Sequence, residues 1–272
     1  AKDGLLEYYK KAEDVCEELV QRCNTFTGWS LLGQIASNRA TAMLDQTVTN
    51  ESVAVMESAL DILSYCIEKK NTYDLAFIYG GALRTQAVSY FILKKWDKSL
   101  EYIDRAVTFL KEQFTGHSRE DLRFQLAVSL YHSGQIQFVL GDEKSAVSLL
   151  AQAEKHLDKV VNMEDKAEYF GSYVYVVMCH AVIRGTDQRD RFSPQDLDYS
   201  VSVWKKYVKE IEEEELREDF FSPFGPLKLI QTGWDQFRYS ERGPFFVQVI
   251  KTLAEKLPVH HKFFDDYLGH LT

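Results

Sequence analysis

Apolar residues recur at intervals of three and four along most of the chain. Leu5, Leu6, Ala12, Cys16, Leu19 and Val20 form one such series. Val53, Met56, Leu60, Leu63 and Ile67 form a second, and Val147, Leu150, Ala153, Leu157 and Val160 a third. This is the period of a helix that buries one face. No segment sustains the alternation of a strand. Pro194, Pro223, Pro226, Pro244 and Pro258 are the five prolines, so the first 193 residues contain none. A proline inside a helix costs about 3 kcal/mol, and its absence suits a region that is helical almost throughout. The pattern predicts helices over 3–24, 28–46, 51–69, 73–94, 96–114, 120–140, 142–161, 165–184 and 194–216, then shorter ones over 225–239, 243–257 and 259–270.

Start and stop signals divide these helices. Asn50, Thr72 and Asp142 are placed to cap helix N-termini, since a short polar side chain there accepts from an orphan backbone N–H. Ser118-Arg119-Glu120-Asp121 resembles a capping box. Ser193-Pro194-Gln195-Asp196 combines a capping serine, a proline at the first helical position and an acid at the positive end of the dipole. Gly141 marks a helix–helix turn.

Small residues follow a ruler of 47. Ala40, Ala87, Gly134 and Ala181 lie on it, as do Ala59, Ala106, Ala153 and Ser200, and Ser52, Ser99, Ala146 and Ser193. Larger residues share the register: Met56, Ile103, Leu150 and Leu197, then Leu63, Leu110, Leu157 and Trp204. Two helices approach closely only where a small side chain faces the partner, and larger ones fill the grooves beside it. One hairpin cannot bury both faces, so successive hairpins stack into a continuous core.

At these residues the chain resembles the tetratricopeptide repeat (TPR) superfamily. Leu83, Ala87, Tyr90, Trp96, Ser99, Ile103 and Ala106 match the family's repeat signature. The small residue of the first helix precedes those of the second by 12 and 19 in Ala87–Ser99–Ala106, Gly134–Ala146–Ala153 and Ala40–Ser52–Ala59. The family period is about 34, so the extra length falls between hairpins, and the family's closing proline is missing. The period alone also fits HEAT or armadillo units; the signature residues favour TPR. The resemblance covers roughly 30–160. It implies an all-α superhelix of antiparallel hairpins over 1–217, continuous with an aromatic-rich C-terminal helical cap over 218–272.

In that family the first helices of the hairpins line a concave face that binds peptides or helices. The resemblance places Gln34, Ser37, Asn38 and Thr41 there, then Arg84, Thr85, Val88 and Phe91, then Tyr131, Gln135 and Phe138, then Tyr175 and Met178. Asn38, Thr41 and Gln135 supply hydrogen-bonding groups, Arg84 a partner for a carboxylate, and Val88, Phe91, Tyr131, Phe138 and Tyr175 apolar cover. The lysine and asparagine clamp of the family's chaperone-tail binders is not found, because Ser37, Arg84 and Tyr131 stand at those positions. The expected function is non-enzymatic protein–protein interaction with a peptide or helix. Alternatives are a ligand- or peptide-sensing domain of a signalling or transcriptional regulator, and self-assembly through the C-terminal aromatic segment.

Composition narrows the partners. In 272 residues, Lys plus Arg is 32 and Asp plus Glu is 41, a formal charge of −9. An acidic chain lacks the cation excess that nucleic acid or an anionic membrane demands. No apolar run approaches the roughly 18 residues of a membrane span. A hydrophobic content of 45% fills a core. Cys16, Cys23, Cys66 and Cys179 form no C-x-x-C pair. They read as reduced, small apolar residues in a cytoplasmic setting. The chain starts at Ala1 without a leader pattern, which leaves a trimmed chain and a mature form both open.

Reactive constellations do not emerge. His117, His132, His156, His180, His260, His261 and His270 show no metal-binding spacing,. His260-His261 with Asp265 and Asp266 reads as an exposed helix start. His132 and Cys179 project toward the inner face without an orienting third group. Gly80-Gly81 lacks the lysine of a phosphate loop and reads as small residues at a helix crossing. The acidic run Glu212–Glu215 reads as a solvated helix face, and Phe220–Pro226 as a turn-rich connector. The expectation is no enzyme, no cofactor and no metal.

Overall fold

A computed structural model describes residues 2–116, 119–163, 167–187, 193–207 and 238–257, with 265, 268 and 269. The fold is all-α, and no strand occurs among the described residues. The helices are α1 (Lys2–Cys23), α2 (Phe26–Gln46), α3 (Asn50–Lys69), α4 (Tyr73–Ile92), α5 (Trp96–Gly116), α6 (Glu120–Leu140), α7 (Glu143–Met163), α8 (Ala167–Asp187), α9 (Asp198–Tyr207) and α10 (Arg242–Lys256). A 3₁₀ turn, Pro194–Leu197, leads into α9. The expected helix over 243–257 is α10. Those over 225–239 and most of 259–270, with Glu212–Glu215 and Phe220–Pro226, fall outside the described residues.

The chain divides into two compact units, 1–126 and 127–272. The junction expected near 217 lies outside the described residues. In the first unit, α1 packs on α2, α2 on α3, α3 on α4 and α4 on α5, and α2 also touches α4. In the second, α7 packs on α8, α8 on α9 and α10 on α8. Successive helices thus pack on their chain neighbours, as in an α-solenoid.

The 47-residue ruler is a set of helix crossings. Ser99 on α5 donates from Oγ to the Ala87 carbonyl on α4 at 2.9 Å, and both residues are buried. A Cβ on Gly134 of α6 would lie 3.2 Å from the Ala146 carbonyl and 2.8 Å from Leu150 Cγ on α7. Ala40, Ala59, Ala106, Ala153, Met56, Ile103, Leu150, Leu197, Leu63, Leu110, Leu157 and Trp204 are all buried. One further row lies on the same ruler: a Cβ on Gly33 would meet Leu63 Cδ2 at 2.9 Å, and one on Gly80 would meet Leu110 Cδ2 at 2.5 Å. These glycines let α2 and α4 settle onto α3 and α5.

The caps largely follow the sequence. Thr72 accepts from the Leu75 N–H at 3.4 Å, and Asp142 from the Ser145 N–H at 3.0 Å. Ser193 and Asp196 close a capping box, but the chain first makes a 3₁₀ turn there. At α3 the cap is Thr49 rather than Asn50: Thr49 accepts from Ser52 N–H at 3.1 Å and donates its own N–H to Ser52 Oγ at 2.9 Å. That reciprocal pair satisfies two orphan donors. Ser118, the expected cap of α6, lies outside the described residues. Arg39 ties α2 to α1 through a fork onto Glu13, with Nε–Oε2 at 2.7 Å and an Nη2–Oε1 hydrogen bond at 3.2 Å.

Candidate binding face

Helix α4 buries residues around most of its circumference, whereas α5 and α7 carry one apolar face each. A helix apolar all round is covered on all sides. This decides the fate of the residues expected to line a groove. In α4, Val88 and Phe91 are buried, Phe91 against Trp96 at 5.1 Å between ring centroids. In α6, Tyr131, Gln135 and Phe138 are buried. Gln135 donates from Nε2 to Tyr131 Oη at 3.0 Å, and its Oε1 lies 3.2 Å from His132 Nδ1. These five lie inside the packing rather than on an open face. Their neighbours already satisfy them.

Six of the expected residues keep solvent access. Asn38 is exposed, while Gln34, Thr41, Arg84, Thr85 and Tyr175 are half-buried, and Ser37 and Met178 are buried. Thr41 turns its hydroxyl back onto the Ser37 carbonyl at 2.9 Å, which leaves Arg84 as the chemically distinctive group of the first unit. Its Nη1 donates to Gln125 Oε1 on α6 at 2.7 Å. Burial alone pushes its guanidinium down to about 10. No carboxylate pairs with it among the described residues. Beside it Gly81 leaves a hollow, for a Cβ there would meet only Gln125 Oε1, at 3.7 Å. A desolvated cation held by a neutral amide is an incomplete ion pair. Gln125 was missed in the sequence. The available signal was an amide on a row that is otherwise apolar at Leu31 and Ile78.

In the second unit, a small cavity is lined by His180, Glu154, Arg184, Asp196, Tyr199 and neighbours. His180 Nδ1 lies 2.7 Å from Glu154 Oε2, so this pair answers itself. Cys179 sits nearby in sequence, and burial pushes its thiol up to about 12, against a smaller opposing effect of Gln135. Such a thiol is a poor nucleophile at neutral pH. Among the described residues, no group of three or more His, Cys, Asp and Glu is placed to hold a metal ion. The His260-His261 cluster lies outside them. No described helix is long and apolar enough to cross a membrane. Comparison with protein-family models and with curated proteins gives no match.

Proposed function

We propose that the chain is a TPR-like, non-enzymatic interaction module that binds a peptide or helix of a partner protein. The observation that carries this reading is Arg84: a half-buried guanidinium beside the Gly81 hollow, held by Gln125 at 2.7 Å and lacking a counter-charge among the described residues. A carboxylate on the partner completes the pair with two charge-assisted hydrogen bonds. Exposed Asn38 and half-buried Thr41 supply polar contacts further along the same face. A preformed helical stack loses little conformational entropy on binding, so a few such contacts suffice. The free cysteines suit a reducing, cytoplasmic setting.

The test is selection of randomised 12-residue peptides displayed on phage, followed by titration of the winners against the wild type and Arg84→Gln. The expected winners share an acidic residue at one position and bind the variant about tenfold more weakly, equivalent to about 1.4 kcal/mol. Winners without a shared acid, or equal binding to both proteins, would remove Arg84 from the site.

A further inference from the structure

Gly80 and Gly81 stand side by side on α4, yet the first alone is a helix crossing. A Cβ on Gly80 would meet Leu110 Cδ2 at 2.5 Å, whereas one on Gly81 would meet nothing nearer than Gln125 Oε1 at 3.7 Å. Glycines inside α2 and α6 behave like Gly80: a Cβ on Gly33 or Gly134 would meet a leucine side chain at 2.9 or 2.8 Å. Close packing therefore does not require a glycine at 81. Backbone geometry does not require it either, for α4 runs helical through this position without a positive φ. A glycine in mid-helix costs helix stability relative to alanine. At the same place on the 47-residue ruler stand Gln34, Val128 and Tyr175. Helix α4 is bare where those helices carry a side chain.

Helix geometry names the rim of the bare spot. Residues three and four positions away surround any position on a helix. Around Gly81 these are Phe77, Ile78, Arg84 and Thr85, all half-buried. Phe77 leans on Tyr73 with 6.4 Å between ring centroids, and Arg84 is tied to Gln125 at 2.7 Å. The rim has two characters. Toward the start of α4 it is apolar, and toward the end it carries a guanidinium and a hydroxyl. A side chain from a second chain enters such a ring of four as a knob enters a hole. The missing Cβ lets that knob rest on the backbone of α4 itself.

Resting on the Arg84 reading above, we infer that the Gly81 hollow seats a large apolar side chain of the partner peptide, beside the carboxylate that Arg84 takes. Phe77 and Ile78 cover the apolar group while Arg84 answers the acid. The two seats lie about 5 Å apart along α4. An acid and a leucine or phenylalanine within four residues of each other in the peptide reach both. The partner's signature is thus a charged and an apolar anchor at one fixed offset, rather than net acidity. The chain's own Glu212–Glu215, flanked by Ile211 and Leu216, is the rival occupant that the test has to separate.

The probe is the randomised 12-residue phage library, panned in parallel on the wild type, Gly81→Leu and Arg84→Gln. Wild-type winners should share a large apolar residue at one fixed offset from the acid, and should bind Gly81→Leu at least about tenfold more weakly. Panning on Gly81→Leu should return peptides that keep the acid and lose the apolar residue. Gly81→Leu and Gly81→Ala should both raise the denaturant midpoint, since either residue favours helix over glycine, so lost binding is not lost folding. Winners that share the acid without an apolar residue at a fixed offset, or that bind Gly81→Leu like the wild type, overturn this inference and leave the Arg84 reading standing. An apolar residue shared without the acid, and lost on Gly81→Leu, supports the hollow and sinks the Arg84 reading. No enrichment on the wild type overturns the inference as well. Enrichment regained when Glu212–Glu215 are all replaced by glutamine then names the chain's own acidic run as the occupant.

Discussion

Lys94 and Gly141 stand 47 residues apart and close their helices in the same way. Lys95 N–H reaches the Tyr90 carbonyl at 2.9 Å, and Asp142 N–H reaches Gln137 at 2.9 Å, the six-residue closure of a Schellman motif. Both turn residues have positive φ, 58° at Lys94 and 99° at Gly141. Only glycine takes that conformation without steric cost. Lys94→Gly is therefore expected to stabilise the protein by about 1 kcal/mol, read as a higher denaturant midpoint at unchanged slope. Arg84 makes the opposite case. Because burial disfavours its charge in the folded state, Arg84→Met should leave the midpoint unchanged or raise it while weakening binding of acidic peptides at least about tenfold; a clear loss of stability would mark the arginine as structural. Of the four free cysteines, only Cys23 is exposed, so one thiol per native chain should react with a thiol reagent and four after unfolding.

Between helices, two devices hold neighbouring pairs together. The first is close approach at glycine. Gly80→Leu places a branched side chain where even a Cβ would lie 2.5 Å from Leu110 Cδ2. Overpacking of this kind is expected to destabilise by about 1–3 kcal/mol, measurable by chemical denaturation. The second is polar. Glu57 on α3 accepts from Tyr90 Oη on α4 and lies 3.4 Å from Lys98 Nζ on α5. Burial pushes its carboxyl up, but the Tyr90 hydrogen bond and Lys98 outweigh burial and hold it below the ordinary glutamate range. A lowered folded pKa adds stability above the unfolded value, about 4.3, and that stability is lost as pH falls through the folded value. Glu57→Gln should therefore lose less stability than the wild type on acidification from about pH 5 to pH 3. Equal losses would show that the cluster contributes nothing to folding.

In the whole molecule, stability is a matter of neighbours, and each unit answers for its own packing. In the second unit Arg242 of α10 donates to the Phe138 carbonyl at the end of α6, lies 5.2 Å over the Phe138 ring and approaches Glu143 at 3.3 Å. A cation at a helix C-terminus also opposes the negative end of its dipole. Arg242→Ala should raise hydrogen exchange in α8 and α10 and leave α2–α5 unchanged, since nearest-neighbour stacks transmit disturbance weakly. Accelerated exchange throughout would indicate one cooperative body.

The helices, their order and most of their crossings were legible in the chain, because three-and-four periodicity and backbone capping are local and recur with the repeat. Thr72, Asp142, Gly141 and the rows through Ala87 and Gly134 needed no tertiary information. Which side of each inner helix remains open was not legible. Val88, Phe91, Tyr131, Gln135 and Phe138 project correctly on the repeat but are covered by neighbouring side chains, and cover depends on what arrives from distant sequence. The same dependence exposed what the pattern concealed: Arg84 facing a neutral amide 41 residues away, and Leu5, Tyr8, Val15 and Leu19 of α1, which read as core in the sequence yet stay exposed among the described residues. Periodicity determines that a face is apolar; only packing decides whether something lies against it.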